Sequence, residues 1–241
     1  MSEDVEPAAP PAVLARIAHA KAGPGRVVPV THAETGETIG RAEALHAEHL
    51  TGETGDAMIE RFVRWRNFYR NGWLDQRLVT PETTRAWAAR YLATPTTLLY
   101  LLYAGDVLIG RTGFLQLTAT SFMTDGLVRG ERGGGPRFLH RVSAALAVAD
   151  LELTGISAMR AKILSDNDLA LDQATRYGYR VTHTRALYRH RDDRGVWLDE
   201  DPQGGELDPR QLLFLRAERD ALLAAAGTPP APAPTPATET R

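Results

Sequence analysis

TDGLVRGERGGGPRFLHRVSAALAVADLELTGISAMRAKILSDNDLALDQATRYGY, residues 124–179, carries the pattern from which the architecture follows. In order it reads as strand, glycine turn, helix, strand, turn, helix. Gly130, Gly133, Gly134 and Gly135 surround a tight turn, and Pro136 suits the first position of a helix. No side chain blocks the backbone N–H groups between them. Together with the positive end of the helix dipole, those groups form a cradle for a phosphate or pyrophosphate. Arg129, Arg132 and Arg137 add charge beside it. Beyond the turn, Leu139, Val142, Leu146, Ala149 and Leu153 fall on one helical face, so the helix can lie on a sheet while its N-terminus holds the anion.

A glycine turn alone is common to several nucleotide-binding designs. A dinucleotide fold would show GxGxxG followed by an acidic residue, and a nucleoside-triphosphate loop would show GxxxxGK with Ser or Thr; no Lys-Ser or Lys-Thr pair follows these glycines. Gly130-x-x-Gly133-x-Gly135 instead resembles the Arg/Gln-x-x-Gly-x-Gly/Ala signature of the GCN5-related N-acetyltransferases (GNAT superfamily), with Gly130 where that family usually has Arg or Gln. A second segment, Asn167 to Tyr179, is similar to the family's NxxAxxLYxxxGF run, with Ala170, Ala174, Gly178 and Tyr179 in register. Trp65-Arg66-Asn67, closing a helix with apolar positions at Met58, Ile59, Phe62 and Val63, is similar to a WRN in one branch. That branch holds ribosomal-protein N-terminal acetyltransferases and acetyltransferases of nucleotide-linked 4-amino sugars.

The resemblance implies an α/β (α+β) fold: a mixed, mostly antiparallel sheet of about seven strands with helices on both faces and a splayed central parallel pair. It implies acetyl-CoA, or a close acyl-CoA, as co-substrate. Leu127, Val128 and Arg129 would meet the pantetheine through their backbone. Arg132, Gly133, Gly134, Gly135 and Arg137 would hold the pyrophosphate, and the Asn167 amide would reach the cofactor while capping the next helix. Trp65, Asn67, Tyr69 and Trp73 are the expected acceptor contacts. Asp125 is the first candidate for general base, with His183 as the second. The family's usual acid, the tyrosine of LYxxxGF, is Ala174 here, which leaves the thiolate to be protonated by water or by a residue from the acceptor side.

The rest of the chain sets bounds. Its 241 residues, 43% hydrophobic, suffice for one substantial core. Net charge −2 argues against bulk nucleic acid or an acidic membrane as partner, and the absence of cysteine excludes disulfides, thiolate metal sites and a cysteine nucleophile. Without a signal peptide or a long apolar run, a cytoplasmic protein is expected. His46 and His49 have a metal-chelating spacing, but 39–50 reads as strand and no third ligand is evident, so packed or solvated histidines and no metal are expected. Residues 1–25, rich in Ala and Pro, read as a disordered arm with room for one helical turn near Ala12 to Ala22, and 26–200 as the catalytic domain. Residues 201–227 read as a helical extension starting at Asp208-Pro209, docked on its own domain or on a second subunit in a homodimer. Residues 228–241 read as a disordered Pro/Ala tail.

The expected function is acyl-CoA-dependent transfer to the primary amine of a small molecule, a nucleotide-linked or glycosidic amino sugar, by direct attack in a ternary complex. A protein N-terminus is the alternative acceptor. A catalytically silent acyl-CoA-binding module is the alternative of another class, supported by Ala174.

Overall fold

The computed structural model describes residues 6–32, 34–135 and 137–227. The elements run α1 (Pro11–Ala22), β1 (Val27–Thr31), β2 (Thr38–Ala44), a 3-10 turn (Ala47–Leu50), α2 (Gly52–Phe68) and a second 3-10 turn (Arg70–Gly72). They continue through α3 (Pro81–Ala93), β3 (Leu98–Ala104), β4 (Val107–Leu115), β5 (Ser121–Arg129), α4 (Phe138–Thr154), β6 (Ala158–Leu164) and α5 (Asp168–Arg176). The chain closes with β7 (Arg180–Asp192), β8 (Gly195–Asp199), β9 (Glu206–Glu218) and α6 (Arg219–Gly227). Among the described residues these strands form one sheet in the order β1-β2-β3-β4-β5-β6-β9-β7-β8, antiparallel except for β5 against β6.

β3 shows why the sheet is covered on both sides. Its LLYLLY run cannot leave either face in water, so alternate residues enter different cores. Leu98, Tyr100 and Leu102 pack with α1, α4 and α6, whereas Leu99 and Leu101 pack with Met58, Phe62 and Trp65 of α2 and Tyr91 of α3. α3 begins where the sequence places it: the Thr80 hydroxyl accepts from the Thr83 N–H at 3.2 Å, with Pro81 in the first turn.

Three expectations are corrected. The stretch read as a disordered arm contains α1, whose Val13, Ile17 and Ala20 are buried in the main core. Ahead of it, Glu6 accepts hydrogen bonds from Thr118, Thr120 and Ser121, and the Ala119 N–H donates to the Pro7 carbonyl at 2.8 Å. Enough Ala, Val and Ile face inward to bury that helix despite its low-complexity look. Residues 1–5, like the tail 228–241, lie outside the described residues. Second, β2 ends at Ala44, and His46 precedes and His49 lies within a 3-10 turn instead of a strand.

The third correction is the largest. The expected helix from Asp208 is β9, inserted between β6 and β7, and its residues 212–218 pair with the whole of β6, from Ala158↔Glu218 to Leu164↔Leu212. A short apolar run such as LLFL is ambiguous between helix and strand until its neighbours are known. Pro209 is tolerated because β7–β9 pairing is irregular there, passing from Ala186↔Gln211 to Tyr188↔Leu207. Only α6 is helical, and it docks on its own domain through Leu222, 1% exposed, with the Arg219 guanidinium donating to the Leu151 and Ile156 carbonyls.

Candidate active site

A fork in the sheet organises the site. β5 and β6 pair through three residues only, Ser121↔Ala158, Phe122↔Met159 and Met123↔Arg160. Past them the strands diverge, with the Thr124 hydroxyl donating to the Arg160 carbonyl at 3.2 Å at the crotch. On its other side β5 stays bound to β4 from Leu115↔Met123 to Gly110↔Arg129, with an irregularity between Arg111 and Gly113. The edge of β5 from Asp125 to Arg129, including Leu127 and Val128, therefore borders the open fork with no strand beside it among the described residues. An extended ligand can pair with such an edge as an added strand would.

The fork leads into the glycine turn. The Gly130 and Glu131 N–H groups are already spent on the Ile109 carbonyl, at 2.8 and 3.0 Å, which pins the turn to β4. Arg129 braces it by donating to the Gly133 carbonyl at 2.8 Å. Gly133, Gly134 and Gly135 then take φ of 153°, 75° and 68°, and Arg137 takes 66°. Among the described residues no backbone carbonyl accepts from the N–H groups of Gly133, Gly134 or Gly135. A Cβ on Gly134 would fall 2.5 Å from the Phe138 ring. Left-handed backbone, free N–H groups and the exposed Arg132 and Arg137 are the chemistry a pyrophosphate needs, so the residues present fit coenzyme A. Helix α4 starts at Phe138, and Pro136, expected at its first position, lies outside the described residues.

Gly130 has a packing reason. A Cβ there would lie 1.9 Å from the Trp65 indole, which covers the turn and donates from Nε1 to Glu131 at 3.1 Å. Trp65 is 2% exposed and acts as a wall. Asn67 closes the loop after α2, donating to the Val79 carbonyl at 3.0 Å and accepting from the Val79 N–H at 2.9 Å. Tyr69 donates to the Arg129 carbonyl at 2.7 Å. Trp65 and Tyr69 line an open cleft of about 1160 Å3 together with residues 129–132, whereas Trp73 covers Gly126 on the side of Asp125.

That second side is a smaller pocket of about 330 Å3, walled by Arg66, Trp73, Trp87, Arg111 and Asp125. Asp125 pairs with Arg111, and both are mostly buried. The Arg111 guanidinium lies 5.8 Å from the Trp73 ring and 5.7 Å from Trp87, and that of Arg66 lies 4.9 Å from Trp73. Arg66 donates to the Asp75 carbonyl, but its Nη1 is buried without a partner, and burial lowers its pKa from the ordinary value. The pocket is thus basic and aromatic around a single carboxylate.

Other expected residues are placed elsewhere. His183 stacks on Phe214 at 4.2 Å on β7, and β6 and β9 intervene between β7 and β5, so it is not brought to Asp125. Asn167 caps α5, its Oδ1 accepting from the Ala170 N–H at 3.2 Å. Ala174 is buried with Ala161 and Leu215, and the Tyr177 hydroxyl donates to the His140 carbonyl at 2.6 Å. The sequence reading missed Arg66 and Arg111 as pocket residues. Arg66 was visible inside the WRN segment, but nothing local distinguished Arg111.

No family model matches the chain, and no curated protein matches it. Many solved structures do, and together with the forked sheet they define the class: the chain has the fold of the GNAT acetyltransferases. One is an acetyl transferase of Salmonella typhimurium that modifies an N-terminal serine of a ribosomal protein, at TM-score 0.58 and 12% identity over 80% of this chain and 99% of that one. The ribosomal alpha-N-protein acetyltransferase RimL in complex with coenzyme A matches at TM-score 0.56 and 14% identity, over 81% and 99%. A Chromobacterium violaceum protein described as a probable GNAT-family acetyltransferase matches at TM-score 0.55 and 15% identity, over 83% and 96%.

Proposed function

We propose that this chain is an acyl-CoA-dependent N-acyltransferase that uses acetyl-CoA and acylates the primary amine of a nucleotide-linked or glycosidic amino sugar. The observation that carries the reading is the fork between β5 and β6 opening directly onto the glycine turn, where an unpaired strand edge continues into free N–H groups. Leu127, Val128 and Arg129 hold the pantetheine through their backbone. Arg132, Gly133, Gly134, Gly135 and Arg137 hold the pyrophosphate, and Asn167 borders the cofactor. A solved structure of the same fold in complex with coenzyme A supports the choice of cofactor.

The acceptor amine attacks the thioester carbonyl carbon in a ternary complex. The C–N bond forms, the C–S bond breaks, and coenzyme A leaves as a thiol after taking up the proton that the amine loses. Asp125 accepts that proton through water, or orients the amine while water accepts it. With Ala174 at the usual acid position and Tyr177 committed to His140, water returns the proton to the thiolate. Arg66, Arg111, Trp73 and Trp87 suit an acceptor bearing phosphate and a flat base, whereas a peptide N-terminus calls for an open acidic groove. A cytoplasmic location fits a chain with no cysteine and, among its described residues, no helix long and apolar enough to cross a membrane.

Thiol release from acetyl-CoA, measured against nucleotide-linked amino sugars, free amino sugars, aminoglycosides and N-terminal peptides, tests the proposal. Release with the sugars supports it. Release with peptides alone replaces the acceptor by a protein N-terminus, and tight acetyl-CoA binding without turnover on any amine makes the chain a silent binding module.

A further inference from the structure

Glu43, near the end of β2, His46, which caps the 3-10 turn that follows, and His49 within that turn bring one potential ligand atom each to within 4.8 Å of one another. His46 is 3% exposed, and both its ring nitrogens are buried without a hydrogen-bond partner. Leaving a buried imidazole unsatisfied is costly, so the arrangement is one that a ligand would complete. Glu43 Oε1 lies 3.7 Å from His46 Nε2 and 3.5 Å from His49 Nε2, too long for good hydrogen bonds. They approach the edge of a zinc tetrahedron, about 3.3–3.4 Å for bonds of about 2.0–2.1 Å. The other carboxylate oxygen of Glu43 is held by Arg41 at 3.6 Å, and this fixes the orientation of the ligand.

We propose that Glu43, His46 and His49 form a three-ligand site for a divalent transition-metal ion of the zinc type. Its fourth position would open toward the cleft that His49 lines together with Arg61, Arg64 and Arg132. The ion would tie the end of β2 to the turn that starts α2, the helix that delivers Trp65 and Arg66 to the candidate active site. The inference is independent of the acyl-transfer reading. Its competitor is a proton-bridged cluster, in which Nδ1 of His49 accepts from the His46 main-chain N–H at 3.4 Å and Nε2 keeps its proton toward Glu43. Ligation moves that proton to Nδ1 and turns the ring.

The experiment is a Co2+ titration of the untagged, chelator-stripped full chain, read by visible absorption, with thermal unfolding in the presence and absence of Zn2+. The expected result is one ion per chain with the intense bands of tetrahedral Co2+, a Tm raised by Zn2+, and loss of about tenfold or more in affinity for His49→Gln and Glu43→Gln. Both substitutions are at partly exposed side chains, and circular dichroism establishes that the variants are folded. Absence of tetrahedral bands in the wild type overturns the proposal, as does binding of equal strength in wild type and both variants.

Discussion

Gly130 and Asp125, five residues apart on either side of the end of β5, act through different physics. Gly130 is required by space, because the Trp65 indole occupies the volume where a Cβ would stand. Gly130→Ala should therefore cost about 1–3 kcal/mol, read from denaturant unfolding, and should weaken acetyl-CoA binding as the turn is displaced. Asp125 is placed by charge. Its carboxylate is shared with Arg111 in the basic, aromatic pocket walled by Arg66, Trp73 and Trp87, where a catalytic and a purely structural role make different predictions. Asp125→Asn separates the two: a catalytic carboxylate predicts a fall of about 100-fold in kcat with the KM for acetyl-CoA unchanged. A drop in unfolding midpoint with kcat preserved would assign Asp125 to Arg111 alone.

Helix α1 and the segment ahead of it show how a weakly patterned element is held. Ile17 is fully buried, and Lys21, also buried, donates to the Tyr91 and Thr94 carbonyls at 2.6 and 2.5 Å. Glu6 anchors the segment to the β4–β5 connection. Its partial burial opposes ionisation, but the hydroxyls of Ser121, Thr118 and Thr120, with Arg160 nearby, outweigh that cost and lower its pKa from 4.5 to about 2. A carboxylate whose folded pKa is depressed contributes stability that is fully present above its unfolded value and is lost as pH falls through the folded one. Glu6→Gln should thus destabilise the protein by about 1–3 kcal/mol at neutral pH, with the difference from wild type shrinking between about pH 4.5 and pH 2. Denaturant midpoints measured across that range check it, and a difference independent of pH would refute the anchoring role.

At the scale of the whole molecule, β9 joins the two parts of the sheet. It lies between β6 and β7, so among the described residues the β7–β8 hairpin pairs with the remaining strands only through it. Removing residues 206–227 would leave β6, one side of the fork, with an unpaired edge, and would uncover Leu164, Leu187 and Leu198, which pack with Leu212. A chain ending at residue 205 should lose cooperative unfolding and expose apolar surface to a hydrophobic dye. If the shortened chain still unfolded cooperatively, β9 would be an appendage to the fold.

The strand–turn–helix of residues 124–154, the α3 cap at Thr80 and the buried character of β3 are legible in the sequence, because backbone freedom, capping and hydrophobic period are local properties. The sequence also placed the glycine turn, since glycines of positive φ before a helix are required by the turn itself. Tertiary structure alone decided three things. It made 206–218 a strand, because an apolar run takes its conformation from whichever neighbours offer hydrogen-bond partners. It buried α1, because docking depends on a surface built by distant residues. It separated His183 from Asp125 while joining Arg66 to Arg111 and Glu43 to His46 and His49, because proximity across a sheet depends on strand order and register, which no local window of sequence contains.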